Sequence, residues 1–257
     1  MKRTLRPLIL LAAGVAAAAS GCTDNDESMQ IVGFSIIMPG TTGCTAMVQT
    51  TMTVNYGIYD VGVQNTVGLG YMFAPIIQNN LVATSNGSTI ERNNINVMGL
   101  EVELHPSGGG NFPTVDGVNL SASYKSPSAI GLATPIGGRV AAIVEAFSQT
   151  TASRLGKLMG NTNWDGNLVV HARAYGQHAG GDITSGWVDF PVKVCKGCLT
   201  GGDIGRCPPG GVSGTIQMGG CYPGQDLALT CCTDDNSRTL CGSNVPVKAA
   251  GTGDGGI

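Results

Sequence analysis

Apolar and polar side chains alternate over several stretches of the chain, and this period of two is typical of strands that bury one face. The stretches with this period are 32–38, 52–58, 95–104, 168–174 and 188–194. Within one of them the apolar parity switches at Met98-Gly99, which predicts a β-bulge. The pattern therefore predicts a mainly β domain over residues 29–194.

The chain also indicates how some of these strands connect. Leu168–Ala174 and Val188–Val194 are predicted to form a hairpin, with the glycine-rich stretch Gly176–Gly186 as its loop. Two other stretches dense in Gly, Pro and Ser, Pro106–Pro113 and Lys125–Gly138, are predicted to be surface loops.

Two segments depart from simple alternation. Tyr71–Ile77 is apolar on both parities, which predicts a centrally placed strand, although Pro75 limits its pairing. Residues 140–147 fit either a strand or a helix, and we interpret them as a strand. Ser148 is a good N-cap and predicts a short helix over residues 149–158. Several strands separated by turns favour an antiparallel immunoglobulin-like β-sandwich with one short helix.

The first 21 residues have the organisation of a secretory signal peptide. Three basic residues precede an apolar run over Leu8–Ala19, which is shorter than the roughly 20 residues that cross a bilayer. The run ends in Ala19-Ser20-Gly21-Cys22, which resembles the bacterial lipobox, so we expect cleavage before Cys22 and lipid on its thiol. A buried helix that ends in Gly-Cys agrees less well with the charges and the length. Residues 22–28 are polar and acidic and are predicted to form a tether.

The cysteines predict a crosslinked C-terminal module over residues 195–257, ending in a disordered tail. Nine cysteines less the lipidated Cys22 leave eight, and an even number of cysteines in an exported chain indicates disulfides. Seven of these eight cysteines lie between residues 195 and 241, where apolar residues are scarce. Cys44 lies far from this group, so full oxidation requires it to pair with one of the seven, and Cys195 or Cys198 is nearest to the predicted sheet. The disulfide candidates are Cys44, Cys195, Cys198, Cys207, Cys221, Cys231, Cys232 and Cys241.

The pair Cys195 and Cys198 has two other interpretations. Its spacing fits half of a zinc ribbon, but no second Cys-x-x-Cys completes the set of four ligands. The spacing also fits a thioredoxin-type redox pair, which requires a helix after the first cysteine, and Leu199-Thr200-Gly201-Gly202 predicts none. A structural disulfide is the favoured interpretation.

The polar face of the predicted hairpin carries the densest group of candidate site residues. We consider three interpretations: a solvated face with charge pairs such as Arg173–Asp189, a binding patch, or a metal site at His171 and His178. The residues of the candidate patch are His171, Arg173, Tyr175, Trp187 and Asp189, with Lys193 nearby.

Catalytic signatures are missing from the sequence. Neither a Gly-x-Ser-x-Gly elbow, a His-Glu-x-x-His motif nor a phosphate-binding loop occurs. A hydrolase would need a cleft that brings His171 or His178 to a carboxylate such as Asp182 or Asp189. Residues 233–236 offer oxygen ligands without the spacing of an EF-hand and predict a turn. We therefore expect no enzyme activity, no cofactor and no metal.

Charge and aromatic content exclude or weaken two further classes of partner. Removal of the leader takes three of the 14 basic residues and none of the 17 acidic ones, so the mature chain has a net charge of −6, which argues against nucleic acid. Trp164 and Trp187 are the only tryptophans, so stacking platforms for a carbohydrate-binding module would be few.

Three tracts accompany the lipobox: Tyr71–Leu81, Phe190–Leu199, and Cys221–Asp226 leading to Cys231-Cys232. Together they resemble uncharacterised surface lipoproteins of myxobacteria over nearly the whole mature chain. The resemblance implies a location and an architecture but no activity. Thr23, rather than aspartate, follows the lipidated cysteine, which favours the outer membrane. We therefore expect a non-catalytic lipoprotein, bound to the membrane through Cys22, whose partner is a protein or matrix component of the envelope.

Overall fold

The computed structural model describes most of the predicted β domain and short parts of the C-terminal region. The described residues are 28–40, 43–48, 53–62, 70–82, 93–179, 181–200, 221–222, 224–226, 231–233 and 239–241. Cys22, the tether up to residue 27, Cys207 and the C-terminal tail lie outside them, as does most of the predicted turn at 233–236.

The described part is mainly β with one helix, as the alternation predicts. The helix is α1 (Gln149–Asn161). The strands are β1 (Met29–Phe34), β2 (Ile37–Pro39), β3 (Cys44–Ala46), β4 (Gly57–Asp60), β5 (Tyr71–Phe73), β6 (Pro75–Asn79), β7 (Ile95–Pro106), β8 (Tyr124–Thr134), β9 (Arg139–Ala141), β10 (Val144–Phe147), β11 (Asn167–His178), β12 (Gly181–Thr184), β13 (Val188–Cys195), β14 (Cys231–Thr233) and β15 (Thr239–Cys241).

A six-stranded sheet is the largest unit and positions every residue of the candidate patch. Its order is β4-β13-β11-β7-β8, and β12 pairs with the end of β11. Its pairings are antiparallel except that of β13 with β4, which is parallel. The sequence interpretation of a wholly antiparallel arrangement was wrong on this point.

Four smaller sheets complete the strand pairing, with orders β1-β6-β9, β10-β5, β2-β3 and β14-β15. The first two pack against the large sheet through aromatic side chains. The ring of Phe34 on β1 lies 4.5 Å from that of Phe190 on β13, and Phe147 on β10 lies 5.1 Å from Tyr59 on β4. Tyr59, Phe147 and Phe190 are almost completely buried, so these contacts form the centre of the core.

Several local predictions are confirmed. Strand β11 buries every second residue, as its alternation requires. The helix begins after Ser148, whose side chain accepts a hydrogen bond from the backbone N–H of Thr151, and it ends three residues later than predicted. The single strand predicted over Tyr71–Ile77 was wrong, because β5 and β6 divide this stretch and belong to different sheets; β6 starts at Pro75, where the missing N–H is tolerated, and its predicted central position is confirmed between β1 and β9.

The predicted bulge is also confirmed. The register of β7 against β8 shifts between Val97 and Gly99. A Cβ on Gly99 would lie 2.4 Å from the carbonyl oxygen of Ser126, so only glycine fits where the two backbones approach.

Other predictions were wrong. The stretch Lys125–Gly138 is not a surface loop, because β8 occupies most of it and pairs with β7. Strand β8 lies at the edge of the sheet, and its Pro127 is opposite the bulged Gly99. The proline and the glycine of β8 therefore do not interrupt hydrogen bonding between central strands.

The loop predicted at Gly176–Gly186 is largely strand, because β11 continues to His178 and β12 returns beside it from Gly181. The stretches 32–38 and 52–58 also differ from prediction. The first is divided between β1 and β2, and β4 begins only at Gly57. No helix among the described residues is long and apolar enough to cross a membrane.

Candidate functional site

The candidate patch is assembled on the outer face of the six-stranded sheet. His171 on β11 lies directly opposite Asp189 on β13, and their Nδ1 and Oδ1 atoms are 2.6 Å apart. The rings of His171 and Trp187 stack with centroids 4.5 Å apart and planes inclined by 5°. The guanidinium carbon of Arg173 lies 4.7 Å from the centre of the Trp187 ring. Stacking on Trp187 therefore holds two of the other patch residues.

Arg173 pairs with Glu101 on β7 rather than with Asp189, so the charge pair predicted from the sequence was wrong. Its Nε and Nη2 donate to the same Glu101 oxygen at 3.0 and 2.9 Å. These bonds lower the pKa of the Glu101 carboxyl. The cause of the error is the position of β7, which lies on the other side of β11 and places Glu101 opposite Arg173.

Tyr175 extends the patch toward β8, because the ammonium of Lys125 lies 5.1 Å above its ring. Lys193 does not join the patch, since its ammonium donates to the backbone oxygen of Asp165. The outer face is thus a row of planar and charged side chains, half-exposed and held in fixed positions by their neighbours.

The structure does not support a shared metal site at His171 and His178. Both lie on β11 seven residues apart, which is about 23 Å along an extended strand. Asp182 accepts a hydrogen bond from the side-chain amide of Gln177. Of the carboxylates named for a hydrolase, Asp189 is the one that His171 contacts, on the outer face of the sheet.

Neither tryptophan forms an open aromatic platform. Trp187 is stacked on His171, and Trp164 meets the Phe112 ring edge-on at 5.4 Å while its indole N–H donates to the backbone oxygen of Asn167. A pair of coplanar, solvent-facing rings, which would favour carbohydrate binding, is not formed by these two side chains.

Two disulfides join described residues. Cys44 is bonded to Cys221, with Cα atoms 5.4 Å apart, and Cys195 is bonded to Cys198. Cys44 therefore pairs with a member of the C-terminal group as predicted, but not with Cys195 or Cys198. Cys232 is also disulfide-bonded.

A buried carboxylate that the sequence analysis missed supports the Cys195–Cys198 loop. Asp60, at the end of β4, has no exposed surface. Its Oδ1 accepts hydrogen bonds from the N–H groups of Gly62 and Gly197, and its Oδ2 accepts one from Leu199. The carboxylate oxygen and the two sulfurs lie within 4.8 Å of one another, but the sulfurs are bonded to each other and offer no thiolate to a metal. This arrangement fits a structural disulfide.

Residues 224–226 of the C-terminal region bind along β4 and β5. The side-chain amide of Gln225 donates to the backbone oxygen of Met72 at 2.8 Å and accepts from its N–H at 2.9 Å, in the manner of a neighbouring strand. Asp226 exchanges two hydrogen bonds with the backbone of Ile58. Through Cys221 this segment is also bonded to β3.

The Asp226 carboxyl is one of two described carboxyls whose pKa is raised by burial, the other being that of Glu145. It accepts hydrogen bonds from the Ile58 N–H at 2.7 Å and from the hydroxyl of the fully buried Tyr71 at 3.1 Å. Asp226 as a whole is exposed to solvent, but its carboxyl oxygens face these buried groups, and this local burial raises the pKa of the carboxyl to about 6. The same burial raises the pKa of Tyr71 and Tyr222, so both remain neutral near pH 7.

The replacement Asp226→Asn should remove one pH-dependent part of the stability. Because the folded pKa is raised, the folded state binds more protons than the unfolded state, and wild-type stability falls as the pH rises from about 4 through about 6. The measurement is the difference in the free energy of unfolding by urea between the wild type and the Asp226→Asn protein, taken at several pH values from about 4 to about 6. Glu101, Asp116 and Asp165 have lowered pKa values, contribute the opposite slope and cancel in the comparison. A constant difference across the window would contradict the assignment.

Comparison with known protein families, curated proteins and solved structures finds no match to this chain.

Proposed function

We propose that this protein is a lipid-anchored component of the bacterial cell envelope that acts by binding rather than by catalysis. The single observation that carries the proposal is the leader that ends in Ala19-Ser20-Gly21-Cys22. The start of the fold agrees with it, since Met29, the first residue of β1, is completely buried. Six residues lie between Cys22 and Met29, and the seven Cα–Cα steps span at most about 25 Å. A lipid on Cys22 would thus hold the domain close to the membrane, and Thr23 favours the outer membrane.

The architecture that we propose is an immunoglobulin-like sandwich over residues 29–194 with a crosslinked module over 195–257. The packing of the β1-β6-β9 and β10-β5 sheets on the large sheet supports the sandwich, and four disulfide-bonded cysteines within 195–241 support the crosslinks. Contacts of Leu199 and Gln225 with β4 and β5 attach this region to the sheet.

The outer face of the large sheet is the surface that we propose for an envelope partner. Arg, Trp and Tyr are enriched in the most buried parts of protein interfaces. Arg173, Tyr175 and Trp187 lie close together on the outer face of the large sheet. Their rings and guanidinium are held by His171 and Glu101, so little side-chain entropy would be lost on binding.

Cys22→Ser is expected to abolish lipid attachment and to release the protein from the membrane. A chain without its two or three acyl groups loses about 0.8 kcal/mol of membrane affinity for each methylene no longer buried. Detergent partitioning and palmitate labelling measure the effect. A protein with residues 24–27 deleted is the matched control, because it shortens the tether and keeps the cysteine. Palmitate labelling of the serine variant would refute the anchor.

A further inference from the structure

A cavity of about 150 Å³ lies between β1, β5 and the segment 221–226. Its walls are mainly apolar, and they include the aromatic rings of Phe34, Phe73 and Phe190. Asp226 lines the cavity and is also exposed to solvent, so this residue lies at the mouth of the cavity. Small-molecule sites in proteins have this composition, with apolar walls and a few polar groups that orient the ligand.

The Asp226 carboxylate retains hydrogen-bonding capacity toward the cavity. A carboxylate has about four acceptor positions, and the described donors are the Ile58 N–H and the Tyr71 hydroxyl. None of the ion pairs between described side chains includes Asp226. A negative group in apolar surroundings is stabilised when a cation pairs with it.

We propose that this cavity binds a small primary amine with an aromatic or branched apolar body, whose ammonium pairs with Asp226. The volume sets the size of the body, because a dry cavity of about 150 Å³ accommodates a molecule as large as benzene. The carboxylate sets the charge, since it would repel an anionic ligand and would gain nothing from a purely apolar one. The site is independent of the lipid anchor and of the patch on the large sheet.

The titratable groups that line the cavity make the pH dependence specific. They are Asp226, Tyr71 and Tyr222, while Cys221 is held in a disulfide. Both tyrosines have raised pKa values and stay neutral between about pH 5 and 8. Any change in amine binding across this range therefore follows the ionisation of Asp226.

Titration of the purified full-length protein with benzylammonium chloride tests the proposal by calorimetry. Benzyl alcohol and benzoate are probes of the same shape that differ in charge. We expect saturable binding of one benzylammonium, about tenfold weaker binding of the alcohol, and no binding of benzoate at about pH 7.5. With a pKa of about 6, the ionised fraction of Asp226 falls about tenfold between pH 7.5 and 5, and benzylammonium affinity should fall equally.

Two variants and one control locate the site. Asp226→Asn should reduce benzylammonium affinity to that of the alcohol, while Val54→Phe fills the cavity and should abolish binding of both. The matched control is Asp116→Asn, because Asp116 is also an aspartate with positive φ, 52° against 60° at Asp226, but lies on the surface away from the cavity. It should bind as the wild type does.

Absence of saturable benzylammonium binding would overturn the proposal, as would equal affinity for benzoate or equal affinity in a folded Asp226→Asn protein. If Asp226→Asn does not fold, the pH profile of the wild type and the Val54→Phe variant decide the matter. None of these results bears on Cys22, so failure of this proposal leaves the anchor test unaffected.

Discussion

Replacing Cys44 with serine is expected to lower the free energy of unfolding by about 5 kcal/mol, an upper value from the entropy of closing a long loop in the unfolded chain. The Cys44–Cys221 bond closes a loop with a sequence separation of 177, so its loss greatly enlarges the unfolded ensemble. The bond also joins β3 to the segment that carries Gln225 and Asp226. Urea unfolding and thermal melting measure the loss.

The control for this prediction is the set of three variants, Cys44→Ser, Cys221→Ser and the two combined. Each single variant should expose one new titratable thiol, and the double variant should expose none while being no less stable than either single one. Loss of more than one disulfide in a single variant would mean that the thiols have rearranged. An unchanged melting temperature would show that the segment 221–226 is held by its hydrogen bonds alone.

Local features of the fold could be predicted from the sequence because they depend on neighbouring residues. The alternation of apolar residues predicted the buried face of β11, and Ser148 predicted the start of α1. The change of apolar parity at Met98-Gly99 predicted the bulge at Gly99. Strand order depends instead on which strands meet, and no local pattern encodes it. For that reason the parallel pairing of β4 with β13 was missed, as was the assignment of 125–138 to β8.

The candidate patch shows the same division. The alternation along the chain predicted that His171 and Arg173 lie on one face of the strand. The residues that they contact lie on two different neighbouring strands, β13 and β7. Cys44 was correctly expected to reach the C-terminal group, yet proximity in sequence suggested Cys195 or Cys198, whereas its partner is Cys221, close in sequence to the residues 224–226 that bind along β4 and β5. Asp60 gave no signal at all, because its role exists only once the Cys195–Cys198 loop has folded over β4.

Asp60→Ala is the second replacement for which we expect a large effect. It would leave the N–H groups of Gly62, Gly197 and Leu199 without their acceptor, and of these residues Leu199 is buried. A buried donor that loses its partner costs about 1–3 kcal/mol, and the donors of Gly62 and Gly197, which are more exposed, add less, so the total loss of stability should be about 2 kcal/mol or more. Asp60→Asn keeps one acceptor oxygen but turns an amide N–H toward these donors, and it should cost less than alanine.

The position of Asp60 gives this prediction a second readout, the rate at which dithiothreitol reduces the Cys195–Cys198 bond. Hydrogen bonds to Gly197 and Leu199 hold the loop against β4, where Cys195 is buried although Cys198 is exposed, and the rate of such exchange depends on the access of a thiolate to either sulfur. Asp60→Ala should therefore accelerate reduction of this bond and leave reduction of Cys44–Cys221 unchanged under native conditions. The matched control is Asp182→Ala, which removes an exposed strand aspartate and should alter neither stability nor the rate. If Asp60→Ala behaves like this control, the buried carboxylate does not hold the loop, and the disulfide alone accounts for its conformation.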